Sequence, residues 1–93
     1  MRIAVLHVEL YLPYAQSLKD KRMVLRRVKD RLQKFNVAVA EVDHHDVWQR
    51  STLGIVAIST TTEHVEQSLG AAVDEIDRVE PGLVTRTEIE FLM

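Results

Sequence analysis

An α+β domain is what three observations in this chain predict. Several segments alternate apolar and polar residues, the period of a strand buried on one face. Two longer segments repeat apolar residues at helical spacing. The two periods follow one another as β-α-β-β-α-β, with no linker, repeat or low-complexity stretch between them. Ninety-three residues form a single domain, 1–93, with room for one core and little for a deep catalytic cavity.

Residues 2–12 make the first strand. Ala4, Leu6, Val8, Leu10 and Leu12 point one way, and Ile3, Val5, His7, Glu9 and Tyr11 the other. Pro13 ends it. Ser17 then caps a helix predicted over 18–34, with Asp20 as the far member of a capping box. Leu18, Leu25, Val28, Leu32 and Phe35 form its apolar stripe, with Val24 at the edge. Residues 36–44, rich in Val and Ala, read as the second strand, and 46–50 as a connector of about one helical turn. The third strand, 53–59, is apolar on both faces, which suits an interior position in a sheet. Thr60 and Glu63 suggest a second capping box, followed by the stripe Val65, Leu69, Ala72, Val73 and Ile76. Pro81-Gly82 stops that helix. Residues 83–92 form the fourth strand, with Arg86, Glu88 and Glu90 on one face.

Both helices must bury their stripes on the same side of the sheet. Two right-handed crossovers then give a ferredoxin-like βαββαβ sandwich with strand order 4-1-3-2. The other sheet face stays uncovered. It receives His7, Glu9 and Tyr11 from the first strand and Arg86, Glu88 and Glu90 from the fourth.

Composition narrows the chemistry. There is no cysteine, which rules out disulfides, thiolate metal sites and cysteine nucleophiles. No apolar run approaches the ~20 residues that cross a bilayer, so a cytoplasmic protein with no membrane partner is expected. The net charge of −2 hides a division. Residues 1–36 hold nine Lys/Arg and three acids, a net of +6; residues 37–93 hold three and eleven, a net of −8. Such a surface faces a charged partner or a second copy of the chain, and a homodimer is expected.

Motifs for catalysis are missing. No phosphate-binding glycine loop, G-x-S-x-G or H-E-x-x-H is present. Asp43, His44, His45 and Asp46 are metal-ligand types, but consecutive residues of a regular strand point apart, and only His44 and Asp46 can share a side. They read instead as a polar strand exit, with Asp46 capping the turn that carries Val47 and Trp48. No metal, cofactor or enzymatic activity is expected.

The basic helix is the strongest functional signal. Eight of the twelve Lys/Arg lie between Lys19 and Lys34. Lys19, Arg22, Arg26, Lys29 and Lys34 can present a stripe to a phosphate backbone. Lys21 joins the candidate set, although it falls in the apolar arc, where it either snorkels or pairs with an acid such as Glu41. Met23 falls on the polar side as an exposed apolar spot. The uncovered face lacks the aromatics of an RNA-recognition-motif sheet, so RNA contact would run through the helix. Trp48 either seals the end of the core, the reading preferred here, or anchors a partner.

Ser17-Leu18-Lys19 with Lys21-Arg22, Phe35-Asn36-Val37, Ala40-Glu41-Val42-Asp43, and Asp46 with Trp48-Gln49-Arg50 together resemble the YlxP-like family of small bacterial proteins. The resemblance extends over nearly the whole chain. It implies a ferredoxin-like fold and carries no activity or catalytic residue. The family's genes commonly sit among those for translation initiation and ribosome maturation, which implies RNA or ribosome contact by association. Self-association without nucleic acid, or a small-ligand regulatory role, are the alternatives.

Overall fold

The four strands of the computed structural model, which describes residues 1–93, form one antiparallel sheet. The elements run β1 (Arg2–Tyr11), α1 (Leu18–Leu32), β2 (Val37–Asp43), β3 (Arg50–Ser59), α2 (Thr62–Val79) and β4 (Val84–Phe91). The sheet order β2-β3-β1-β4 is the expected 4-1-3-2 read from the opposite edge. β3, apolar on both faces, has a strand on each side, β1 and β2.

The alternation of β1 places Ala4, Leu6, Val8 and Leu10 under the helices. Leu53, Ile55 and Ala57 of β3 join them, and the two helical stripes close the layer. Val24, Leu25, Val28 and Leu32 come from α1; Val65, Leu69, Ala72 and Ile76 come from α2. Each Val, Leu and Ile among them contributes roughly 1.5–3 kcal/mol on burial, the term that opposes chain entropy. No helix is long and apolar enough to cross a membrane.

Strands β1, β2 and β4 end within one residue of the sequence reading, and four larger or chemically distinct differences stand out. First, α1 stops at Leu32, two residues early: the Gln33 N–H bonds Arg31 and Lys29 carbonyls, tightening the last turn. Lys34 therefore lies beyond the helix. Second, Thr61 caps α2 and not Thr60; its Oγ1 accepts the His64 N–H at 3.2 Å. Three successive threonines offer the same cap chemistry, and the burial of Val65 and Leu69 selects among them. Third, β3 begins at Arg50, three residues earlier than its apolar run. Fourth, the connector 44–49 is a turn with no helix. It is closed by the Val47 N–H to the His44 carbonyl at 3.1 Å, and not by Asp46.

Candidate functional site

The cations of α1 divide into three groups. Arg27 and Arg31 lean toward α2. Arg27 meets Glu80 at 2.6 Å and Arg31 approaches Glu75 at 3.9 Å. Lys21 points inward. Arg22, Arg26 and Lys29 occupy the flank facing β2, and neither they nor Lys19 has an acidic partner within ion-pair distance. Their arrangement follows from the helical period. With the apolar stripe held against the sheet, positions 22, 26 and 29 line one side of the cylinder and rise about 10 Å along it. Arg22, Arg26 and Lys29 border a groove between α1 and β2, with Leu25 and Glu41 also at its walls. Lys34 is exposed too, but its charge falls on α2 and helps lower Glu75.

Lys21 leaves the surface set. It is 1% exposed, and its Nζ donates to the carbonyls of His44, His45 and Arg50 at 2.7, 3.2 and 3.3 Å. Glu41 Oε2 lies 3.0 Å away and also accepts the Ser51 hydroxyl at 2.7 Å. Such a buried ammonium persists only where its protons are satisfied, and it has no face to offer an outside ligand. Burial pushes the Glu41 carboxyl up, but the Ser51 hydroxyl and Lys21 outweigh it and hold the carboxyl below its usual range. Of the two readings of Lys21, pairing with Glu41 is the one realised.

Trp48 does not seal the core. It is 51% exposed, and the core end is closed by Leu12, Ala15 and Leu83. The turn carrying it is held by its backbone. The Leu12 N–H bonds the Gln49 carbonyl at 2.9 Å, and Gln49 Nε2 donates to the Pro13 carbonyl at 3.0 Å. With Lys21, these contacts fix the turn without using the indole. Met23, 54% exposed, lies on the outer face of α1 as its position required.

The uncovered sheet face has an apolar half and a polar half. Val42 and Ile58, 51% and 46% exposed, stand in the apolar half with Ile3, Val5 and Val56. Gly54 lies at the centre of the sheet because a Cβ there would come within 3.1 Å of the Val42 side chain. In the polar half His7 faces Glu88 and Glu9 faces Arg86 across the β1–β4 pairing. Arg50 and Tyr11 are cross-strand partners. Glu9 lies 3.8 Å from Arg50 and 4.0 Å from Arg86, and Arg86 lies 3.4 Å from Glu88.

A bulge in β2 between Glu41 and Asp43 adds residues the strand period did not assign there. Asp43 comes opposite Thr52. His44, at φ 65°, turns its Nδ1 to Thr52 Oγ1 at 3.1 Å. Asp43 and His44 thereby join His7, Glu9, Arg86 and Glu88 around a cleft of about 340 Å³ with no apolar lining. His45 turns away, to the Glu41 carbonyl at 3.1 Å. No three His, Asp or Glu side chains converge as a metal cage would need. The cleft is open and internally paired, unlike the mostly apolar hollows that hold small ligands.

A family model described as "Protein of unknown function (DUF503)" matches residues 3–89. A protein described as "Uncharacterized protein YlxP", from Bacillus subtilis (strain 168), is 42% identical over 78 residues, covering 80% of this chain and 84% of its own length. Two solved structures share the fold. The de novo designed protein Foldit4 has a TM-score of 0.57 at 13% identity, over 98% of this chain and 97% of its own. A C-terminal segment of the alpha subunit of aIF2 from Pyrococcus abyssi has a TM-score of 0.54 at 23% identity, over 97% of this chain and 49% of its own. At these identities both inform the fold alone.

Proposed function

Since the chain belongs to the DUF503 family of proteins of unknown function, we propose from its own surface that it is a non-enzymatic, cytoplasmic binding module that contacts RNA or the ribosome through α1. The observation that carries this reading is the group of four α1 cations with no acidic partner. The same helix pairs its cations wherever α2 or the core supplies an acid. It leaves Lys19, Arg22, Arg26 and Lys29 without an ion pair, the last three beside a groove that also holds Asp30 and Glu41. Unpaired cations spaced along about 15 Å of helix can neutralise a short run of phosphates. The interaction they supply is sequence-independent and salt-sensitive.

The test is sedimentation of tagged protein through a gradient of cell lysate, at low and moderate salt, beside the triple variant Arg22→Glu/Arg26→Glu/Lys29→Glu. Wild type should travel with ribosomal particles at low salt and release as salt rises, while the triple variant stays near the top. Wild type remaining at the top at low salt overturns the reading. Arg22 and Arg26 are exposed and Lys29 is half-buried at the helix edge, so the variant should keep the fold with a modest change in melting temperature.

A second reading is favoured by a separate observation. Val42 and Ile58 stand half exposed in the apolar half of a sheet face that no element covers. A second copy packed on this face would bury them, and the mixed charges of the polar half suit an isologous contact.

A further inference from the structure

The exposed aromatics of this chain gather at one end of the molecule. Of five aromatic residues, Phe35 and Phe91 pack against the core. The other three, Tyr11, Tyr14 and Trp48, are 47%, 56% and 51% exposed. Tyr11 ends β1, Tyr14 follows in the β1–α1 turn, and Trp48 stands on the turn that enters β3 beside them. That turn is tied to Pro13 through Gln49 and to α1 through Lys21. Charges of both signs lie at this end: Asp46 stands beside Trp48, and Arg50 is paired with Glu9 at 3.8 Å. Arg50 is the cross-strand neighbour of Tyr11, and Lys19 and Arg22 flank Lys21 in sequence.

The anchoring is unusual for an exposed turn. A buried ammonium is costly, and here it is spent on three backbone carbonyls of the segment that presents Trp48. The indole contributes nothing to closing the core. A turn held by its backbone therefore displays a large, flat side chain at the end of the molecule where α1 begins. A ring carried on a held backbone loses less entropy when a base stacks on it than one on a mobile loop.

We propose that Trp48 is a stacking platform for an unpaired base, so that the ligand of the α1 ridge is single-stranded nucleic acid, its backbone running along Arg22, Arg26 and Lys29 and one base lying on the indole. This rests on the reading of α1 as a phosphate-binding ridge. Aromatic stacking beside a cationic track is the general solution for single strands, because every base has a π-face while its phosphates need only positive charge. A duplex offers the phosphates but keeps its bases stacked internally, so it gains nothing from Trp48. The Lys21 bonds hold this turn against the first turn of α1, the end from which the ridge runs, and this favours nucleic acid over a protein partner.

Trp48 is the sole tryptophan and reports on its own environment. The protein is titrated with a uridine oligonucleotide of about 12 nucleotides and with an RNA duplex of equal length. Indole emission is followed alongside anisotropy of end-labelled RNA, for wild type, Trp48→Ala and Trp48→Phe. The expected result is quenching by the single strand, single-strand binding weakened roughly tenfold in Trp48→Ala and largely kept in Trp48→Phe, and duplex binding unchanged in both. If RNA binds with emission unaltered and Trp48→Ala is silent, the platform is overturned while the ridge stands. If neither RNA binds wild type at low salt, both fail. If Trp48→Ala abolishes self-association and leaves single-strand affinity intact, the platform is overturned and the indole is a protein contact.

Discussion

Lys21 shows how one side chain links α1 to a distant turn. Its charge is matched by Glu41 and its protons by three carbonyls of residues 44–50. Replacing it by Met leaves Glu41 with a buried charge and frees the turn. Lys21→Met should therefore lose about 3 kcal/mol in urea denaturation. Adding Glu41→Leu removes the orphaned carboxylate and should recover much of that loss. The carboxyls also set the acid response. Arg78, at 2.6 Å, is the main cause that holds Glu75 low; Arg31 and Lys34 reinforce it against burial. Glu41 is held low as well. Lowered carboxyls stabilise the fold above the usual carboxylate range, and this is lost as pH falls through that range toward the folded values. The melting temperature should hold steady down to about pH 5 and then fall. Glu75→Gln should start lower at neutral pH and show a shallower fall. At this scale the sequence placed Lys21 in the apolar arc and offered two outcomes, snorkelling or pairing with an acid such as Glu41, and the tertiary structure realises the second. It misjudged Trp48, because hydrophobic residues are inside on average and only the backbone contacts of the turn show that this one is not needed there.

Elements follow from local chemistry, and their ends are where the sequence reading slipped. Ser17 accepts the Asp20 N–H at 3.0 Å, as the capping signal predicted, while Asp20 reaches back to the Gln16 N–H, one residue before the cap, at 3.0 Å. Ser17→Ala should cost about 1 kcal/mol in urea denaturation. At α2 the three threonines separate the alternatives. Thr61→Ala should cost a similar ~1 kcal/mol, and Thr60→Ala close to nothing, since only Thr61 holds the cap bond. An equal effect at Thr60 would mean that the helix starts a residue earlier. The bulge in β2 had no such local signature. Strand period alternates strictly, so it assigns Asp43 and His44 to opposite faces, whereas an extra residue between paired positions brings both to the uncovered face.

At the scale of the molecule, charge and hydrophobicity are distributed separately. The α1 ridge faces β2, the acids Glu66 and Asp74 lie by β4, and the apolar half of the uncovered face is centred on Gly54. Edge pairing of two β2 strands would bring two cationic ridges together, so the sheet face is the better surface for a second copy. If copies pack there, Val42→Glu/Ile58→Lys should be monomeric by sedimentation velocity while wild type is dimeric. A monomeric wild type at micromolar concentration removes the self-association reading. The two readings separate cleanly, because the α1 triple variant should leave the oligomeric state unchanged.

The sequence by itself determined the element order, the two helical stripes, the interior position of β3 and hence the sheet order, because each depends on periods and compositions that act along the chain. It also placed the cations on one helix. Which of them remain free was decided only by tertiary structure, since that depends on whether Glu41, Glu75 or Glu80 arrives beside a given side chain from another element. The exposure of Trp48, and the approach of Asp43 and His44 to His7 and Arg86, were decided the same way. They rest on a bulge and on backbone contacts between segments far apart in sequence, which no local pattern encodes.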